Sequence, residues 1–327
     1  MKIYFSNNDM LMNFNHFLNQ LDFDDDKKLE IETTNNWLSV HPAALVLAAA
    51  LAKKVGKNNT TINNSAGESG LYLDRMGLYD YANTKSSYRY NQHDESGRFV
   101  PIRQILTQDD QSRFVTDVIP LLHLNPEKSQ IIRYVIGELV RNALEHSRSN
   151  DGAFVAAQYR PKTNVLSFGV CDTGIGIKKS LEKFHFSEDD LSAIRLALMP
   201  GVSGTTAGLN FTEDNGGAGL FIVKNLSKMT RNYFVLYSGD AAYKLLKYDK
   251  RIKGLPKTKS DPFDDRHSAY MGLPKFRGTL IGVDIALDDT ETFNAIMEVI
   301  KVGYSKSIRE RKKRKYKEVK FLWRGLQ

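Results

Sequence analysis

An α+β fold, a two-layer sandwich of helices on a sheet preceded by a smaller α/β unit, is predicted by the order of two groups of periodic segments. The first group is a pair of helical patterns, residues 109–122 and 128–147, separated by the helix-start signal Asn125-Pro126. The second follows directly: strand-like runs Ala153–Tyr159 and Val165–Val170, a glycine-rich stretch from Gly201 to Gly219, a helix from about Leu220 to Lys228, and strands near Tyr233–Tyr237 and Thr279–Ile285. Strands that follow one another without a helix between them pair as neighbours, and the helices then cover a face of that sheet.

The amino-terminal third reads differently. Lys2–Phe5 and Leu29–Thr33 are short β-type runs, Ala43–Val55 carries alanine and leucine at helical density up to Gly56, and Leu71–Leu78 is a further helix candidate. Asn83–Gly97 is polar and without apolar period, which suits a linker ending near Leu106. A chain of 327 residues is about twice the usual domain length. The expected division is therefore an α/β domain over 1–105, a second domain over 106–290 and a helical tail over 291–327, with Lys250–Lys275 as an exposed loop.

Hydrophobic residues at 41% and charged residues at 26% exclude a disordered or membrane-embedded chain. The net charge of +8 has one address: Lys301–Arg324 holds eleven Lys or Arg against Glu310 and Glu318, which leaves the rest of the chain close to neutral. The longest apolar run, Ala43–Ala52, is about half of what a bilayer span needs. The amino terminus turns polar too soon for a secretory leader, and Cys171 alone can form no internal disulfide; both point to the cytoplasm.

The chemistry gathers in three places. Residues 128–147 carry an apolar stripe (Ile131, Ile132, Val135, Ile136, Leu139, Val140, Ala143, Leu144), and Glu138, Asn142 and His146 form an i, i+4, i+8 row along its edge. A carboxylate and an amide partly desolvated together are costly unless something uses them. Further on, an apolar run ends in Cys171-Asp172-Thr173-Gly174-Ile175-Gly176-Ile177, and Asn215-Gly216-Gly217-Ala218-Gly219-Leu220 opens a helix whose free N–H groups suit a phosphate. Glycines at such points allow positive φ and close approach of backbone to a ligand.

In this order and spacing the segments resemble the GHKL superfamily, the ATPase domain shared by DNA gyrase, a heat-shock chaperone, sensor histidine kinases and a mismatch-repair protein. Glu138–His146 looks like its N box, Asp172–Gly176 its first glycine box, Gly216–Leu220 its second, and Arg277-Gly278-Thr279-Leu280 the Gly-Thr of its closing strand. The resemblance covers roughly residues 108–287. It implies that Asn142 offers oxygen to Mg²⁺, that Asp172 accepts the adenine amino group with support from Thr279, and that Gly174, Gly176 and Ile177 pass against the base and sugar. It further implies that Gly217, Gly219 and Leu220 lay backbone donors on the phosphates of ATP, and that Glu138 orients or deprotonates the attacking water. The family also implies a lid, here Lys178–Asn215 with Gly201, Ser203, Gly204, Thr205, Thr206 and Gly208. Lys224, one turn into the helix after the second glycine box, is either a phosphate contact or a solvated lysine.

The expected activity is thus Mg²⁺-dependent ATP hydrolysis that moves a lid and alters a protein partner. A Ser/Thr kinase of the anti-sigma-factor type is the alternative, since Glu138 fits both. No GxxxxGK[ST] motif exists, and GIGIKK lacks the third glycine of a dinucleotide fingerprint. His93 and His123 are badly placed for a phosphoacceptor, and His41 before Pro42 reads as a helix-entry residue. Residues 1–105 loosely resemble a STAS-like module. Partners left open are a STAS-like protein, nucleic acid through residues 305–327, where Tyr316, Phe321 and Trp323 interleave with Lys and Arg, and a second copy in a homodimer.

Overall fold

The structure, a computed structural model, describes residues 1–34, 38–63, 67–85, 99–121, 126–202, 217–249, 251, 253–287 and 293–324. The amino-terminal part comprises β1 (Lys2–Phe5), β2 (Asn8–Asp9), α1 (Phe14–Asn19), β3 (Leu29–Thr33), β4 (Ser39–Val40), α2 (Pro42–Val55), β5 (Thr60–Asn63) and α3 (Glu68–Arg75). There follow β6 (Phe99–Ile105), α4 (Gln108–Leu121), α5 (Pro126–His146), β7 (Ala153–Arg160), β8 (Val165–Asp172), α6 (Gly176–Leu181), α7 (Asp190–Ala197) and α8 (Gly219–Met229). The last elements are β9 (Phe234–Gly239), β10 (Ala241–Leu245), β11 (His267–Tyr270), β12 (Phe276–Ala286) and α9 (Phe293–Arg324).

The fold is mixed α+β around a seven-stranded sheet in the order β11-β10-β9-β12-β8-β7-β6. Each neighbouring pair is antiparallel. Both faces of its central strands are covered, which is why β8 is buried at every position instead of alternating. Val155, Ala157, Phe168, Val170, Ile281 and Val283 face the layer holding α5 and α8. Phe154, Ala156, Cys171 and Leu280 face the amino-terminal part.

That second face corrects the expected domain division and the two-layer reading. β6 is an edge strand of the large sheet, so residues 99–105 do not belong to a separate unit. A separate three-stranded parallel sheet, β1-β3-β5, sits in the same core as α2. α2 is buried from Pro42 through Ala52, as a helix apolar on all sides must be. It lies between the two sheets as a third layer, admitted by a cross-strand pair of glycines, Gly169 and Gly282. A methyl on Gly169 would overlap the Pro42–Ala43 backbone, and one on Gly282 would reach Leu11 at 2.8 Å and Ala43 at 3.1 Å. The expected linker falls mostly on residues 86–98, outside the described residues.

His41 caps α2 by accepting the Ala43 N–H at Nδ1, 3.0 Å. A neutral ring then carries its proton on Nε2, which sits 3.4 Å from Asp284 of β12. Asp284 accepts hydrogen bonds from Ser167 and, at 3.3 Å, from Arg160. Burial alone would raise the Asp284 carboxyl, yet His41, Arg160 and Ser167 outweigh it and hold it below the ordinary value. This network ties the α2 layer to β7, β8 and β12.

The expectation of an exposed loop over Lys250–Lys275 is also corrected. Residues 267–270 form β11 on the sheet edge, and Asp265, 5% exposed, is paired with both Lys224 and Lys228 of α8. Ser260 donates to Ser307 of α9 at 2.7 Å, so the segment straps α8 and α9 together. α9 is a single helix whose Ile296, Met297 and Ile300 are buried. Among the described residues no helix is long and apolar enough to cross a membrane.

Candidate functional site

α5 packs its apolar positions Val135, Ile136, Leu139, Val140 and Ala143 into the core. The row Glu138, Asn142 and His146 falls on the flank of that stripe, and all three side chains line one cleft. Opposite them stand the ends of two paired strands, with Asp172 of β8 in register with Thr279 of β12. The glycine-containing starts of α6 (Gly176, Ile177) and α8 (Gly217, Gly219, Leu220) close the ends. The cleft is open on one side, and its empty space counted out to that mouth and into solvent is about 1020 Å³.

Asp172 sits at the base, only 4% exposed. Its carboxylate accepts the Gly174 N–H at 2.8 Å. Burial pushes its pKa up to about 7, with Gly174 and Thr279 as donors pulling the other way and, among the described residues, no basic side chain opposing. A carboxyl with a raised pKa in a cleft is a candidate binding group.

Glu138 is 9% exposed, and its Oε2 takes an N–H from Arg141 Nη2 at 2.6 Å. Burial raises its pKa, and the Arg141 guanidinium opposes the rise. A Cβ on Gly219 would run into that same oxygen and lie 3.3 Å from Asn142 Nδ2, so a side chain where α8 begins would displace the Glu138 carboxylate. Asn142 Nδ2 is buried and without a hydrogen-bond partner among the described residues. His146 is half-buried, and burial lowers its pKa.

Glycine conformation fits the turns that carry these helices. Gly176 and Gly217 both have φ of 77°, where other residues are strained. Ser238 fixes the first: its hydroxyl donates to the Gly278 carbonyl at 2.7 Å and accepts the Ile177 N–H at 3.0 Å. Gly217 is fixed by its carbonyl, which accepts the Gly201 N–H at 3.1 Å.

Three expectations need correction. Gly174 is not on the cleft wall; a Cβ there would overlap the Ser147 carbonyl, which accepts the Ile175 N–H at 2.8 Å, so this glycine serves the packing of the α5 end. Lys224 is neither a phosphate contact nor solvated: it is fully buried and paired with Asp265. The lid does not run through all of Lys178–Asn215, because α7 is a packed helix, capped by Asp189, with Ala193 and Ile194 in the core. Gly216 and residues 203–215, the centre of the expected lid, lie outside the described residues, as do His93 and His123.

Two residues of the site were not read from the sequence. Arg141 carried a signal, since an acid and an arginine at i, i+3 on one helix are neighbours. Ser238 carried none, being 61 residues from the N–H it receives. Among the described residues there is no group of three or more His, Cys, Asp or Glu able to hold a metal. Compared with known protein families and curated proteins, the chain matches none.

Proposed function

We propose that the cleft binds ATP with Mg²⁺ and hydrolyses it, in the manner of the GHKL ATPases that the sequence resembles, and that the nucleotide state is passed to a protein partner. The observation that carries this reading is convergence: Glu138 and Asn142, Asp172 with Thr279, and the helix starts at Gly176 and Gly219 come from separate parts of the chain and line one cleft. In the proposed pose Asp172 accepts the exocyclic amino group of adenine. Guanine presents an acceptor at the same place and is refused.

The donor set fits a metal that is held mostly by its substrate. With Asn142 Nδ2 turned into the protein, the amide oxygen is its remaining polar atom, a hard ligand of the kind Mg²⁺ takes beside phosphates and water. Mg²⁺ would supply charge neutralisation between the phosphates. Glu138 orients a water and takes its proton as the water oxygen bonds to the γ-phosphorus and the bridge to ADP breaks. Burial raises the pKa of Glu138, the direction that makes its carboxylate a stronger base.

The test is an assay that separates nucleotide binding from phosphate release. Glu138→Ala is expected to keep Mg-ATP binding and lose turnover by about 10²–10⁴-fold, whereas Asn142→Ala weakens Mg-ATP binding. Unchanged turnover in Glu138→Ala would remove the assigned base. Phosphoprotein in place of free phosphate, on incubation with a STAS-like protein, would favour the kinase alternative. Nucleic-acid binding through residues 305–327 is a further proposal, supported by α9 carrying the basic run up to Arg324 on one helix; loss of salt-sensitive binding on removing 305–327 is its check.

A further inference from the structure

Arg141 stands where two anions compete for it. Its guanidinium is the partner of Glu138, the proposed base, at 2.6 Å. The same side chain is about a third exposed, 32%, and lines the cleft beside Asn142. The Glu138 oxygen that it holds is also the one that abuts Gly219 at the start of α8. One carboxylate oxygen is thus closed off by an arginine from one helix and by the backbone of another. Arg141 is the exposed member of the pair and Glu138 the buried one, so the guanidinium is the group free to turn toward a second anion in the cleft. A terminal phosphate is such an anion, because a guanidinium meets it with two parallel N–H bonds.

We propose that Arg141 is a positioning residue that distinguishes a triphosphate from a diphosphate: it holds Glu138 in the empty and ADP states and passes to the γ-phosphate when ATP binds, leaving the Glu138 carboxylate to its water. The proposal rests on the ATP reading of the cleft. It makes the base available only when there is a γ-phosphate to attack, and it gives ATP a contact that ADP lacks.

The experiment is titration of the full-length protein with Mg-ATP, its non-hydrolysable imido analogue and Mg-ADP, for wild type, Arg141→Ala, Arg141→Lys, Glu138→Gln and the double variant Glu138→Gln/Arg141→Ala. In Arg141→Ala the affinity for both triphosphates is expected to fall about ten-fold or more with ADP affinity unchanged; Arg141→Lys should recover part of the loss. Glu138→Gln should tighten triphosphate binding, because Arg141 is then uncommitted, and that gain should vanish in the double variant. The acid limb of the kcat/KM–pH profile, which reports the free enzyme, should move upward in Arg141→Ala, as Glu138 loses its cation there.

Equal losses for ATP and ADP in Arg141→Ala, or the same gain from Glu138→Gln with and without Arg141, would overturn the proposal while leaving the ATP reading intact. Absence of nucleotide binding by wild type would instead overturn the reading itself. Thermal melts of each variant separate misfolding from either result, and the Glu138→Gln comparison does not depend on Arg141→Ala alone.

Discussion

Asp172 and Asp284 are both buried acids on the two central strands of the sheet, and their surroundings are opposite. Asp284 is 4% exposed and meets His41, Arg160 and Ser167, which keep its carboxyl ionised below the ordinary range. Asp172 is equally buried but meets, among the described residues, the neutral donors Gly174 and Thr279, and its pKa stands near 7. The first is a charge-paired joint between the amino-terminal layer and the sheet, although His41 Nε2 and Arg160 Nε keep no hydrogen-bond partner among the described residues. The second has no basic partner among the described residues, and a cleft-lining carboxyl with a raised pKa is a candidate binding group.

Breaking the joint should cost most. Asp284→Asn leaves Arg160 and His41 without their carboxylate, and about 3–5 kcal/mol of stability is expected to go, read by urea unfolding at neutral pH. A loss below about 1 kcal/mol would mean that the network is not what fastens α2 to the sheet.

The next effect separates the two acids by the sign of their pH dependence. Asp284 has a lowered folded pKa, so its contribution is present at neutral pH and fades as pH falls through that value. Asp172 has a raised one: between its unfolded value of 3.8 and its folded value near 7 the folded state holds a proton that the unfolded chain has released, so stability falls as pH rises. From pH 5 to pH 8 this amounts to about 2–3 kcal/mol for the nucleotide-free protein. Asp172→Asn should abolish that fall and be the more stable protein at pH 8, while losing the acceptor that the cleft offers. An unchanged pH slope in Asp172→Asn would show that the carboxyl is not held protonated.

The smallest effect concerns glycines on the two faces of the sheet. Gly169→Ala pushes a methyl into the Pro42–Ala43 backbone and should destabilise by about 1–3 kcal/mol without altering nucleotide affinity. Gly219→Ala instead drives a methyl against Glu138 and Asn142, so its loss should appear in Mg-ATP affinity and turnover.

The same contrast explains what was legible in the sequence. The Glu138–Asn142–His146 row could be read because one helix of known period carries it, and Asp172 because it ends an apolar run before spaced glycines. The joint could not. His41, Arg160, Ser167 and Asp284 are isolated polar residues in different elements, and only packing brings them together. Gly169 and Gly282 gave no signal for the same reason: each is an ordinary glycine inside a strand until the register pairs them under α2. Lys224 misled because a lysine just after a glycine-rich helix start suggests phosphate, while its partner Asp265 lies 41 residues away in a segment whose Lys, Pro, Asp and Gly content reads as a loop.

The most direct test of the account is calorimetric titration of the wild-type chain and Asp172→Asn with Mg-ATP and Mg-GTP at pH 8. The account predicts that wild type binds ATP and refuses GTP, and that Asp172→Asn loses ATP affinity by about ten-fold or more. Equal affinity for the two nucleotides, or ATP binding untouched by the substitution, would contradict it.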